Sequence, residues 1–150
     1  MSKRSSKSPR VDRHVFFLDE NLGANVLAGI LRAAGYNVVT HRERYGKVTG
    51  IKDPQVIADC GTTGTILLTA DSNLETTWAA EITKAKIGVV ILSNNTDGAV
   101  KWGQRIIQAM GKIRAQLDKR RKPYAICLTV LAEVSRVRLY RKKGSRVIHI

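Results

Sequence analysis

The chain has 150 residues, 43% of them apolar and 5% aromatic, with a net charge of +14. That length suits one domain with a buried core, and the apolar share excludes a wholly disordered chain. No apolar run approaches the roughly 20 residues needed to span a bilayer, no secretion signal opens the chain, and Cys60 and Cys127 lack ligand spacing, so reduced core cysteines and a cytoplasmic location are expected.

Residues 1–13, rich in Ser, Lys and Arg, read as a flexible basic arm. His14–Leu18 (HVFFL) is a short apolar run of the kind buried on both faces of a sheet. Apolar residues at 22, 26, 27, 30, 31 and 34 have helical spacing, and Gly35 stops that helix. Tyr36–Thr40 is a second strand. The stretch Gly46–Gly50 (GKVTG) is a loop able to carry Lys47 toward a phosphate. Asp53-Pro54 reads as a helix start, with Asp as cap and Pro in the first turn, ending near Gly61 or Gly64. Thr65–Thr69 is a third strand, residues 73–85 are weakly helical, and Ile87–Leu92 is a fourth strand. Asp97 is expected to cap a long helix with Trp102, Ile106, Met110, Ile113 and Leu117 on one stripe. The basic run Lys119–Lys122 and Pro123 end it. Ala125–Val130 is a fifth strand, and Val134–Tyr140 with Arg146–Ile150 reads as a hairpin around Lys143-Gly144.

This alternation predicts a single α/β domain over residues 14–150. Its central sheet is mostly parallel, of about five strands, with helices on both faces. The C-terminal β-hairpin over 134–150 adds antiparallel strands at one edge or forms a basic flap. Charge is segregated along this framework: residues 1–14 carry a net +4, residues 119–146 a net +9, and residues 15–118 only +1. A nearly neutral body with basic ends favours a polyanion or an acidic partner protein.

In a parallel sheet, ligands bind at the carboxyl ends of the strands. Asp19 directly follows HVFFL, Asp71 follows TILLTA, and Asp53 heads a helix in the same layer of loops. Converging carboxylates repel, and a hard cation such as Mg²⁺ or Mn²⁺ is the usual compensation. Such a cation supports phosphodiester cleavage. Plain alternatives stand beside this: Asp53 as a helix cap, Asp71 as a turn residue, and His41 as a structural histidine. Glu20 is expected to point away from Asp19 as a supporting group, and Asn21 and Asn73 suit turns or a metal-held water. Ser72 has no His partner, and GTTGT lacks the Lys of a phosphate loop.

The segments FFLDENL, LRAAGYNVV, KDPQVIADC and TILLTADSNL, in that order, resemble the PIN-like domain group that includes VapC-type toxins. The likeness is greatest to the compact branch whose first strand ends in LDENL, and runs from about His14 to Leu92. It implies a three-layer PIN-like fold and a Mg²⁺- or Mn²⁺-dependent ribonuclease, often the toxin of a toxin–antitoxin pair and often a homodimer. By matching position, Asp19, Asp53 and Asp71 are the catalytic, metal-binding acids; Glu20, Asn21, Asn73 and Asp97 are expected beside them as supporting groups on their own chemistry. The family commonly has a further Asp where this chain has Asn73, and neither Glu75 nor Asp97 has the spacing to replace it. A catalytically weakened RNA- or protein-binding module is therefore the competing reading. RNA and an acidic antitoxin are the expected partners. Lys47, Arg120, Arg121, Lys122, Arg141, Lys142 and Lys143 would hold RNA phosphates. Scarce aromatics limit base stacking to Trp78, Tyr124 or Tyr140, and Trp102 is expected in the core.

Overall fold

The computed structural model describes residues 14–22, 24–48, 50–71, 73–93, 98–129, 133–137, 140–143 and 146–149. At 21, 24, 75, 136, 137, 140–143 and 146–149 it describes the backbone alone. Period-two alternation assigns each strand's side chains to the two faces of the sheet. In β1 (Val15–Leu18), Phe16 and Leu18 join one core cluster and Phe17 the other. The same division holds in β3 (Ile66–Thr69), β4 (Gly88–Leu92) and β5 (Tyr124–Leu128), where Leu67, Val89, Ile91 and Ala125 share the Phe17 face. With apolar residues on both faces, these strands have to be covered on both.

Helices α1 (Ala24–Ala33) and α6 (Ala99–Lys119) cover the Phe16 face through Leu27, Leu31, Trp102, Ile106, Met110 and Ile113. Helices α3 (Asp53–Thr63), α4 (Leu74–Thr77) and α5 (Ala79–Ala85) cover the Phe17 face through Val56, Ile57, Cys60, Leu74 and Ile82. With β2 (Asn37–Thr40) and β6 (Val134–Val137), the sheet has six strands in the order β2-β1-β3-β4-β5-β6. The first five are parallel, and β6 runs antiparallel to β5. Gly88 is required where β4 meets β5, because a Cβ there would collide with the Tyr124 ring.

The expected α/β, three-layer, mostly parallel fold is present, with four corrections. The fifth strand is followed by a sixth: Val134–Val137 pairs with Tyr124–Leu128, while the closing hairpin is β7 (Tyr140–Lys143) with β8 (Arg146–His149). Ladder bonds to the exposed edge of β5 outcompete pairing with the distant 146–149 segment. Secondly, residues after β2 form a short helix, α2 (His41–Tyr45). A capping box builds it: Glu43 N donates to Thr40 Oγ1 at 3.1 Å and Thr40 N to Glu43 Oε1 at 2.9 Å. Thirdly, Asp53 is the first helical residue of α3; Lys52 holds the cap position, without a side-chain cap bond. Finally, α6 is capped by Gly98, so the expected cap residue Asp97 lies one position too early and outside the described residues. The arm 1–13 is also outside them.

Trp102 is in the core as expected, and so is Tyr124, which removes it from base stacking. Cys60 and Cys127 are not joined in a disulfide. Among the described residues, no helix is long and apolar enough to cross a membrane.

Candidate active site

From β1 the chain passes to β2 on one side, then places β3 on the other side of β1. The connections leave β1 and β3 in opposite directions, which opens a crevice at their carboxyl ends, the usual ligand position in an open α/β sheet. Asp19 follows β1 and Asp71 stands two residues past β3. Asp53 opens α3 in the same loop layer.

Asp19 is held at three points. Its N–H donates to Leu68 O at 3.0 Å, its Oδ1 accepts from Glu20 N at 2.8 Å, and its Oδ2 accepts from the Thr69 hydroxyl at 2.8 Å. The same Thr69 Oγ1 accepts from Asp71 N at 3.0 Å. One buried threonine at the end of β3 thus ties the first acid to the third. Asp71 Oδ1 accepts from Asn73 N at 2.9 Å, an Asx turn. Asp53, released from capping, instead accepts the Trp78 indole N–H on Oδ2 at 3.2 Å.

Electrostatics connects the three. Burial pushes the Asp19 carboxyl above its ordinary value; the hydrogen bonds from Thr69 and Glu20 N oppose this, and the negative charges of Asp53 and Asp71 add to the rise. Three carboxylates therefore share one field. They do not close on a point: among the described residues, no three His, Cys, Asp or Glu side chains are gathered to hold a metal ion as they stand. The donor set nevertheless fits a hard divalent cation. All three groups offer carboxylate oxygens, and Asp53 Oδ1 and Asp71 Oδ2 make no hydrogen bond among the described residues. A cation would also reverse the repulsion that helps raise Asp19.

The supporting groups are scattered more widely. Glu20 opens a 3-10 turn (Glu20–Leu22) beside Asp19 and places its Oε1 3.9 Å from His41 Nε2. His41, the first residue of α2, is buried between the rings of Phe17 and Tyr45, at centroid distances of 6.3 and 4.8 Å. Asn73 sits exposed at the cap position of α4. Asn21 is described in backbone only, and Asp97 is outside the described residues.

The basic residues divide between the two edges. Arg120, Arg121 and Lys122 precede β5, whose first residue, Tyr124, pairs with Gly88 at the amino edge. The carboxylates are at the opposite edge, roughly 10 Å further along for three residues of strand. Lys47 is exposed in the turn after α2. Its neighbour Tyr45 donates to Asp59 Oδ2 at 2.5 Å, six residues along α3 from Asp53 and so roughly 9 Å away by helical rise. The backbone of Arg141, Lys142 and Lys143 lies in β7, which packs against α4 and α5, the helices that follow Asp71.

Two side chains bonded to the candidate acids escape a reading by motif. Thr69 looks like an ordinary β-branched strand residue; the available signal is a polar group ending a fully buried strand. Trp78 can only be joined to Asp53 in three dimensions. In comparison with known proteins, a family model described as PIN like domain matches residues 14–94, more than half of the chain. No curated protein and no solved structure matches it.

Proposed function

Because the chain belongs to the PIN-like domain family, whose fold is of nuclease type, we propose that it is a Mg²⁺- or Mn²⁺-dependent endoribonuclease. The observation that carries this reading is the junction at the topological switch point, where Thr69 Oγ1 bonds both Asp19 Oδ2 and Asp71 N, with Asp53 opening α3 in the same loop layer. Asp19, Asp53 and Asp71 would hold the cation, which when bound supplies an activated water and stabilises charge developing on the phosphodiester. Thr69 orients Asp19 and the Asp71 backbone together, and Trp78 orients Asp53. Lys and Arg of the basic segments bind RNA phosphates, which gives affinity without sequence choice.

A net charge of +14 also suits an acidic antitoxin, and a VapC-type toxin is the specific form of this proposal. The chain would then arrest growth when overproduced alone and be relieved by such a partner.

Cleavage of a mixed RNA pool with Mn²⁺, Mg²⁺ or EDTA, beside Asp19→Asn, tests the reaction. Metal-dependent products lost in the variant are expected. Asn73, an amide where the family commonly has an acid, favours a second reading as an RNA-binding module with weakened catalysis. Equal inertness of both proteins, with RNA binding retained, would establish that second reading instead.

A further inference from the structure

The two edges of the sheet differ in charge. Asp19, Asp53 and Asp71 belong to the carboxyl edge. At the amino edge, the last turns of α5 and α6 and the links to β4 and β5 carry Lys84, Lys86, Lys119, Arg120, Arg121 and Lys122. All but Arg120 are exposed, and those five make no side-chain hydrogen bond or ion pair among the described residues. Arg120 Nε donates to Gln116 Oε1 at 2.7 Å. The one acid in these segments, Asp118, has its Oδ1 2.9 Å from His14 Nε2. That contact ties the start of β1 to the end of α6, so residues 1–14, of net charge +4, join the domain at the same edge.

Register aligns the two basic links. Gly88 pairs with Tyr124, and Tyr124 N donates to Ile87 O at 3.2 Å, so Lys86 and Lys122, each two residues upstream, stand level on neighbouring strands. Paired backbones lie about 4.8 Å apart, and like charges set opposite each other are destabilising. Lys86 carries a further cost. It closes α5 in the left-handed region, at φ 57° and ψ 53°, the one non-glycine with positive φ among the described residues. Gly64 closes α3 in that same region, at φ 71°. Glycine enters it without steric conflict and lysine does not, so the backbone alone favours glycine at position 86. A cation also suits the carbonyls that end a helix, but Lys84 in the last turn already supplies one.

We propose that the amino edge is a second RNA-binding surface, separate from the acidic crevice, where Lys86 and Lys122 hold the phosphate backbone with Lys84, Lys119 and Arg121 beside them. A protein partner would need an apolar centre to its interface. The exposed large apolar residues among those described, Val26, Val48, Val100 and Ile107, stand in none of these segments. A phosphate backbone needs only cations at intervals. The surface gives affinity without base choice, and it lies a strand length from the carboxylates, so it does not touch the reacting phosphate. This inference rests on the RNA-directed reading above, but not on cleavage.

Binding of poly(U) to the full chain in EDTA, followed against salt concentration, tests it. Lys86→Gly and Lys122→Gln should each lower the slope of log affinity against log salt by about 0.7, the share of one single-strand phosphate contact. The Tm of Lys86→Gly should be no lower than that of the wild type, because glycine is at ease at this φ, and so separates lost binding from lost fold. Lys101→Gln removes the same charge from the first turn of α6, at the carboxyl edge, and should leave the slope unchanged. An equal fall in Lys101→Gln would reveal a diffuse field in place of a site and would overturn the proposal. Wild-type slopes in both Lys86→Gly and Lys122→Gln would do the same and leave the crevice reading standing. Tighter binding of polyglutamate than of poly(U), lost in the same two variants, would overturn RNA as the occupant in favour of an acidic protein. Poly(U) binding that depends on Lys86 and Lys122, with no metal-dependent cleavage by the wild type, would uphold this surface and remove the nuclease reading alone.

Discussion

Asp19 illustrates how function and stability oppose each other at one residue. Its carboxyl binds a proton more tightly in the folded chain than in the unfolded one, chiefly through burial. Stability linked to this group is therefore full below the ordinary value of 3.8 and is lost as pH rises through the elevated folded value. Asp19→Asn should accordingly raise the Tm of the metal-free protein at pH 7, and the gain should vanish in acid; each kcal/mol is worth about 2–4 °C at this size. Scanning calorimetry across pH checks the sign. Thr69→Val should do the reverse. It removes the hydroxyl that lowers Asp19 and leaves Asp71 N without its acceptor, at a cost of about 1–3 kcal/mol. If Asp19 must be ionised for cleavage, the acid limb of the pH–rate profile should also move to higher pH in that variant.

At the scale of elements, α2 is the piece on which the β2 side of the crevice depends. It has only five residues, too few to be stable alone, so its capping box and the Arg32–Glu43 pair hold it in place. Arg32 above all, and then the Thr40 N–H, keep the Glu43 carboxyl below its ordinary range. That contribution is present above the ordinary value and is lost as pH falls through the lowered one. Both partners are nearly half exposed, so solvent screens the ion pair and its share of the stability is small. Glu43→Ala should cost about 1 kcal/mol in urea unfolding at pH 7, and less at pH 3. Equal losses at both pH values would show that the carboxylate charge plays no part.

Over the whole molecule, the separation of charge acquires a direction that composition lacks. Arg120, Arg121 and Lys122 stand at the amino edge of the sheet, away from the carboxylates, while the β7 backbone packs beside the helices that follow Asp71. A phosphate held by the first cluster is therefore not the phosphate at the crevice. Replacing Arg120, Arg121 and Lys122 together by Ala should weaken RNA binding and flatten its salt dependence by about 0.7 per lost contact on single strands. The turnover rate at saturating RNA should stay unchanged. A fall in that rate would mean that substrate spans both edges, with the amino-edge cluster aligning it for reaction.

The sequence by itself determined the α/β alternation, the parallel strands and the three candidate acids. Apolar runs bounded by glycines are local signals, and an acid that ends a buried strand has few places to go. It also contains the Thr40–Glu43 box that builds α2, a signal as local as the glycines that stop the helices but overlaid by the glycine-rich loop that follows. Tertiary structure alone decided the rest. The pairing of Val134–Val137 with β5 depends on which edge is open, and the bonds from Trp78 to Asp53 and from Thr69 to Asp19 join residues 25 and 50 positions apart. The orphaned Nε2 of His41 is likewise a property of packing, since hydrogen-bond satisfaction is settled only when distant segments exclude water from the same place.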